Sequence, residues 1–234
     1  MRPRIAALII ATLVPVPTVA ATAPAQISVG GHATVRAEPD RAVLRLGVET
    51  QQESAGAAQR ETDRIARAIH TSLETLGVPG AAIQTSSLNL HPVYSQRRPT
   101  DRAHTPTVVG YRADNTVQVT LTDLDRVGPA IDGAIGAGAN RVLGLTFSLE
   151  DDSEMQLAAL KAAVSQAAAK AAAIADTLGQ ALGAVVEVRE GGVSVRPVAA
   201  MRMQAEMAMD GGAPVAPGEV SVSASVTIVY ALAD

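Results

Sequence analysis

Cysteine is absent from the 234 residues, and so is tryptophan. Without thiols the chain can form no disulfide, so stability in an oxidising compartment rests on burial alone. It also has no thiolate nucleophile or thiolate metal ligand, and no cysteine that could carry a lipid at the start of an exported chain. Aromatic residues are nearly as scarce, with Phe147, Tyr94, Tyr111 and Tyr230 the complete set. Binders of single-stranded nucleic acid stack bases on aromatic platforms, and sugar-binding proteins use aromatic clamps, so both classes are poorly supplied. Positive charge is in deficit too. With 19 Lys and Arg against 23 Asp and Glu the formal charge is −4, and a net acidic surface repels phosphate backbones. No nucleic-acid partner is expected.

What remains is 47% hydrophobic and 18% charged, the balance of a packed globular core in one large domain or two small ones. Arg2 and Arg4 form a positive start, Ile5 to Val14 an apolar stretch, and Ala21-Thr22-Ala23 a small-residue cleavage pattern. These are the parts of a secretory signal, which sets residues 1–23 as a signal peptide and 24–234 as one domain. The apolar stretch is shorter than the roughly 20 residues that cross a bilayer. No later segment is expected to span, so the mature chain is expected to have no transmembrane span. Losing Arg2 and Arg4 takes the formal charge from −4 to −6.

From Ile27 apolar and polar residues alternate through Val35, and after Pro39-Asp40 they alternate again from Ala42 to Val48, which reads as a hairpin. The period turns helical beyond Glu53, with Ala58, Ile65, Ile69, Leu73 and Leu76 on one face, until Gly77 and Pro79 end it. Ile83 to Tyr94 and Val108 to Thr122 are strands flanking the irregular stretch from Gln96 to Pro106. Ile83 and Leu88 can share a face only if the first of these strands has a bulge. A short helix capped by Thr122 or Asp123 follows, carrying Leu124, Val127, Ile131 and Ile135 inward. In the next strand, Arg141 to Leu149, the alternation of Leu143, Leu145, Phe147 and Leu149 predicts a place in the middle of the sheet.

Ser153 opens the longest helix, whose predicted inner face is Leu157, Leu160, Val164, Ala167, Ala171, Ile174 and Leu178. Reaching Leu182 would make it about 45 Å long at ~1.5 Å per residue. A strand from Ala184 to Glu190, a loop rich in Gly, Pro and Met from Gly191 to Pro217, and an almost faultless alternation from Val220 to Tyr230 complete the chain. The order ββαββαβαββ predicts the α+β class, a mainly antiparallel sheet with the long Ala-rich helix and two shorter helices packed on it.

Several of these segments occur together in a known family. Ile27-Ser28-Val29-Gly30-Gly31, Pro39-Asp40, Leu46-Gly47-Val48, Ile83 to Leu88, Pro92-Val93-Tyr94, Gly110-Tyr111-Arg112-Ala113, Gly138 to Val142, Gly144 to Phe147 and the ending from Pro217 to Tyr230 resemble SIMPL-domain proteins in order and spacing. The resemblance runs from about Ile27 to Tyr230, and these proteins include bacterial periplasmic immunogenic proteins. It implies an exported α+β domain with no established catalytic residue, a tendency to self-associate, and a loose link to envelope and oxidative stress. The expected compartment is the periplasm, with contact to the outer membrane as a further option. No catalytic residue or cofactor is assigned, and the expected partner is a second copy of the chain.

The residues that could carry chemistry are few. His32, His70, His91 and His104 lie far apart, without the spacing that makes a zinc site. Glu150-Asp151-Asp152-Ser153-Glu154 concentrates acid at a helix start, where carboxylates offset the helix dipole, but lacks the alternating ligands and glycine of a calcium loop. Gly133, Gly136 and Gly138 stand at the end of a helix, whereas phosphate-binding glycines stand at its beginning. Met201, Met203, Met207 and Met209 form an M-x-M-x-x-x-M-x-M cluster. Thioethers are soft donors suited to Cu(I), and exposed methionine can also consume oxidants by forming the sulfoxide, so these four are the candidate metal or scavenging residues. Methionine is equally an adaptable contact surface.

Overall fold

The computed structural model describes residues 25–95, 106–198 and 216–233. Ten main elements follow the expected order: β1 (Gln26–Ala37), β2 (Arg41–Gln52), α1 (Ala55–Thr75), β3 (Ile83–Tyr94), β4 (Val108–Leu121), α2 (Val127–Gly136), β5 (Arg141–Ser148), α3 (Ser153–Thr177), β6 (Ala181–Val198) and β7 (Glu219–Ala233). The strands form two antiparallel sheets rather than one, ordered β1-β7-β6 and β3-β4-β2-β5. Each sheet has its own core. The long helix α3 covers the first, and α1 with α2 covers the second.

The split corrects the expected hairpin between the first two strands. β1 pairs along its whole length with β7, from Gln26 opposite Ala231 to Ala37 opposite Val220, while β2 lies between β4 and β5. A two-residue hairpin wants residues with positive φ, and Glu38-Pro39-Asp40 supplies none. These residues instead reach the end of β5: the Asp40 N–H donates to Ser148 O at 3.3 Å, and Asp40 Oδ1 accepts from the Glu150 N–H at 2.7 Å. The chain thus steps from one sheet into the other.

Helix α1 begins where Ser54 Oγ accepts from the Ala57 N–H at 3.3 Å and ends at Gly77, whose φ of +80° a residue with a Cβ resists. It buries Ala58, Thr62, Ile69 and Leu73, with Ile65 half-buried and Leu76 left at the exposed end. On the sheet below, Ala42, Leu44, Leu46 and Val48 of β2 meet Val117, Val119 and Leu121 of β4. The predicted bulge in β3 lies between Thr85 and Ser87, and it brings Ile83 and Leu88 to the same side as Val119 and Asn115. Thr50 Oγ1 lies 2.7 Å from Thr62 Oγ1 and 3.1 Å from Ala58 O, and Thr62 Oγ1 lies 3.4 Å from Ala113 O. Two hydroxyl protons therefore tie the start of α1 to β2 and β4.

Three other expectations are corrected. β5 is an edge strand, not a central one. A register shift opposite Arg45 and Leu46 leaves Leu143 exposed, while Leu145 and Phe147 pack on the core. β6 runs on through Gly191 and Gly192 to Val198, because the pair forms a bulge, with φ +96° at Gly192, instead of opening a loop. Helix α3 stops at Thr177, where Gly179 turns with φ +69°.

The face of α3 is the predicted one only in part: Ala167 and Ala171 are buried as expected and Leu160 packs against the core. Ala159, Ala163, Ala167, Ala171 and Ala175 are buried on β1 and β7, while Leu157, Val164, Ile174 and Leu178 are 51%, 38%, 41% and 60% exposed. Spacing of four residues makes the alanine line, and only alanine fits, because Gly31 and Ala224 bring the sheet backbone close. Long side chains of α3 complete the seat: Lys170 Nζ donates to Gly30 O at 2.9 Å, and the His32 N–H donates to Gln166 Oε1 at 2.8 Å. Among the described helices α3 alone is long and apolar enough to cross a membrane, and no other candidate span occurs among them. Its alanine line is nonetheless seated on a sheet.

Candidate functional site

A cleft of about 240 Å³ opens between α1 and the β3–β4 pair. Helix positions 63, 66, 67 and 70 share one face at spacings of three and four, so Asp63, Ala66, Arg67 and His70 form one wall. Ile83, Thr85, Asn115 and Val117 form the other. Ile83 and Thr85 lie ahead of the bulge, opposite Val119 and Val117, so the plain alternation of β3 puts both on one side of the sheet.

The polar groups in the cleft are poorly occupied by one another. Asp63 and Arg67 are four residues apart, a spacing that permits an ion pair, yet Asp63 Oδ1 accepts instead from Gln59 Nε2 at 2.8 Å and Arg67 has no partner among the described residues. His70 Nδ1 lies 3.3 Å from Glu74 Oε2. Asn115 Oδ1 is out of solvent and accepts no hydrogen bond. An unsatisfied buried acceptor costs about 1–3 kcal/mol. Asn115→Leu is therefore expected to raise stability by about 1 kcal/mol, read as a higher midpoint in urea.

On the opposite face of the same sheet, Glu49 receives Arg141 Nη1 at 3.0 Å and Arg112 Nε at 3.3 Å. Asn140 bonds the Glu49 backbone in both directions, Oδ1 accepting its N–H at 2.9 Å and Nδ2 donating to its carbonyl at 2.8 Å. This exposed network holds β5 to β2 and has the makings of an anchor rather than a reactive centre. On the outer face of the other sheet, Thr34 Oγ1 lies 2.8 Å from Ser223 Oγ and 3.5 Å from His32 Nε2. No carboxylate orients His32 among the described residues, so the trio lacks the third member of a nucleophile relay.

The residues singled out by sequence fare as follows. Met201, Met203, Met207 and Met209 lie outside the described residues, as does His104. His32 is on β1, His70 on α1 and His91 on β3, and no group of three His, Asp or Glu side chains fit to hold a metal occurs among the described residues. In the acidic run, hydrogen bonds from the Ser153 side chain and then its backbone N–H hold the Asp151 carboxyl below its ordinary value, and Asp152 Oδ1 accepts from Gln156 Nε2 at 2.7 Å. These carboxylates serve the helix start. Gly138, with φ +107°, closes α2, and the Ala139 N–H returns to Ala134 O at 2.9 Å, a helix end as expected. On the outer side of α1 the exposed Glu61 carboxyl is held low by its hydrogen bond from Arg64, at 2.7 Å. Sequence reasoning singled out neither Arg67 nor Asn115. The available signal was two charges of opposite sign at i and i+4 beside an Asn inside an otherwise apolar alternation.

Comparison with known proteins matches the SIMPL family, described as a protein of unknown function (DUF541), over residues 27–230. The chain is similar to the 26 kDa periplasmic immunogenic protein of Brucella melitensis, with 30% identity over 213 residues, covering 89% of this chain and 85% of that one. It is also similar to the uncharacterized protein YggE of Escherichia coli, with 29% identity over 178 residues, covering 76% and 70% respectively.

Proposed function

The chain belongs to the SIMPL family, and on that premise we propose that it is a non-enzymatic periplasmic protein that works by assembling with copies of itself. One observation carries this reading: α3 turns its alanines to the sheet and leaves Leu157, Val164, Ile174 and Leu178 in water. Large aliphatic side chains are normally the buried ones, and several exposed on one element favour a contact surface. Exposed Val185, Val186 and Val188 on the edge strand β6 add to it, since an open edge can pair with another chain. On the other edge of that sheet, Gln166 and Lys170 take two backbone groups of β1, the His32 N–H and the Gly30 carbonyl.

Export is supported by the leader-like residues 1–23 and by the relative named as periplasmic. The mature chain would then start at Pro24 and act as one domain, with a role in envelope or oxidative stress, in contact with the outer membrane or free of it. The test is the native mass of residues 24–234 by size-exclusion chromatography with light scattering. A mass several times that of the chain is expected. A strict monomer at physiological concentration would defeat the reading and turn attention to the second one, in which Met201, Met203, Met207 and Met209 hold Cu(I) or consume oxidants, a reading that rests on their spacing.

A further inference from the structure

We propose that the cleft between α1 and β4 binds a small zwitterion, an amine and a carboxylate on an aliphatic body, as in a free aliphatic α-amino acid. The cleft presents acceptors and donors separately. Asp63 is an acceptor that calls for the N–H groups of an ammonium, with Asn115 beside it in the wall. Arg67 is a donor fork suited to a carboxylate, with His70 one turn further along the helix. Asp63 and Arg67 stand about 6 Å apart along the helix axis at ~1.5 Å per residue, and they do not neutralise each other. Ile83, Val117 and Ala66 supply an apolar lining between the charged ends.

The same features exclude other ligands. At about 240 Å³ the cleft is smaller than the roughly 300–1,000 Å³ of drug-sized sites, which leaves room for a small molecule only. A phosphate ester would meet a single guanidinium and be repelled by Asp63. A metal ion would find Asp63 and His70 about 10 Å apart along the helix, seven residues at ~1.5 Å each, too far to share it. An uncharged apolar ligand would answer neither Asp63 nor Arg67.

Isothermal titration of residues 24–234 tests this with three probes: L-leucine, isoamylamine, which lacks the carboxylate, and 4-methylpentanoate, which lacks the amine. L-leucine is expected to bind saturably at one site per chain, with each analogue weaker by about tenfold or more, the weight of a hydrogen-bonded charge. Arg67→Ala should weaken L-leucine by about tenfold and leave isoamylamine unchanged. Asp63→Asn should weaken both. Arg67 is exposed, so its replacement spares the fold, and Arg67→Lys, which keeps the charge, should restore part of the L-leucine binding. Absence of saturable L-leucine binding below about 10 mM overturns the proposal. So does equal binding of all three probes, or L-leucine binding that Arg67→Ala does not alter.

Discussion

Gly31→Ala is expected to lower stability by about 3 kcal/mol or more, while Gly30→Ala, one residue away, is expected to stay within about 0.5 kcal/mol of the parent. A Cβ on Gly31 would fall on the carbonyl oxygen of Ala163, inside any allowed contact, and lie 2.9 Å from that carbonyl carbon and 3.0 Å from Ala167 Cβ. Two of the three are backbone atoms of a helix and cannot swing aside. α3 would have to lift from β1, loosening the bonds of Gln166 and Lys170 to the same strand. At Gly30 an added Cβ meets nothing within 4 Å. Thermal unfolding followed by circular dichroism checks the pair, and a Gly31→Ala protein that melts with the parent would mean that α3 does not seat this closely on the sheet.

The contrast between these two glycines marks what the sequence could tell. Alternation along Ile27 to Val35 shows that Gly31 faces the side shared by Ile27 and Val29, and Gly30 the other. It does not show what lies across from that side. The same limit explains the hairpin between β1 and β2. Period two fixes which face a residue takes, but the identity of the neighbouring strand depends on contacts distant in sequence, here β7, 195 residues away for Gly31 opposite Val226. Where the partner is local, as for β3 and β4, pairing and even the bulge were legible, because Ile83 and Leu88 could not otherwise share a face.

Helix α3 was misjudged for a different reason. Large aliphatics are the usual guide to the inner face, and Leu157, Val164, Ile174 and Leu178 gave a plausible line. The competing signal was the strict four-residue run of alanines from Ala159 to Ala175, and it prevails because the opposing strands carry Gly31 and Ala224. The cleft was half legible. The helix positions of Asp63, Arg67 and His70 follow from spacing alone, whereas Asn115 and Thr85 reach them only through the packing of α1 on the sheet, which spacing does not show.

Leu44→Ala is expected to cost about 2–5 kcal/mol, and Leu178→Ala almost nothing in the isolated chain. Leu44 is fully buried in the middle of its sheet, opposite Val119 on one neighbouring strand and Leu145 on the other, so truncation leaves a cavity that strands held on both sides cannot close. Leu178 caps the end of α3 and is mostly in water, so its truncation removes little buried area. Urea titrations of the two variants at low protein concentration read these costs directly. Equal costs would place the large side chains of α3 inside and return its alanines to the surface. If the costs differ as expected, the exposed aliphatics do nothing for the fold of a single chain. Their replacement by glutamine at 157, 164, 174 and 178 together should then leave the unfolding free energy in urea within about 1 kcal/mol of the parent while lowering the native mass, which separates a surface kept for a partner from one kept for folding.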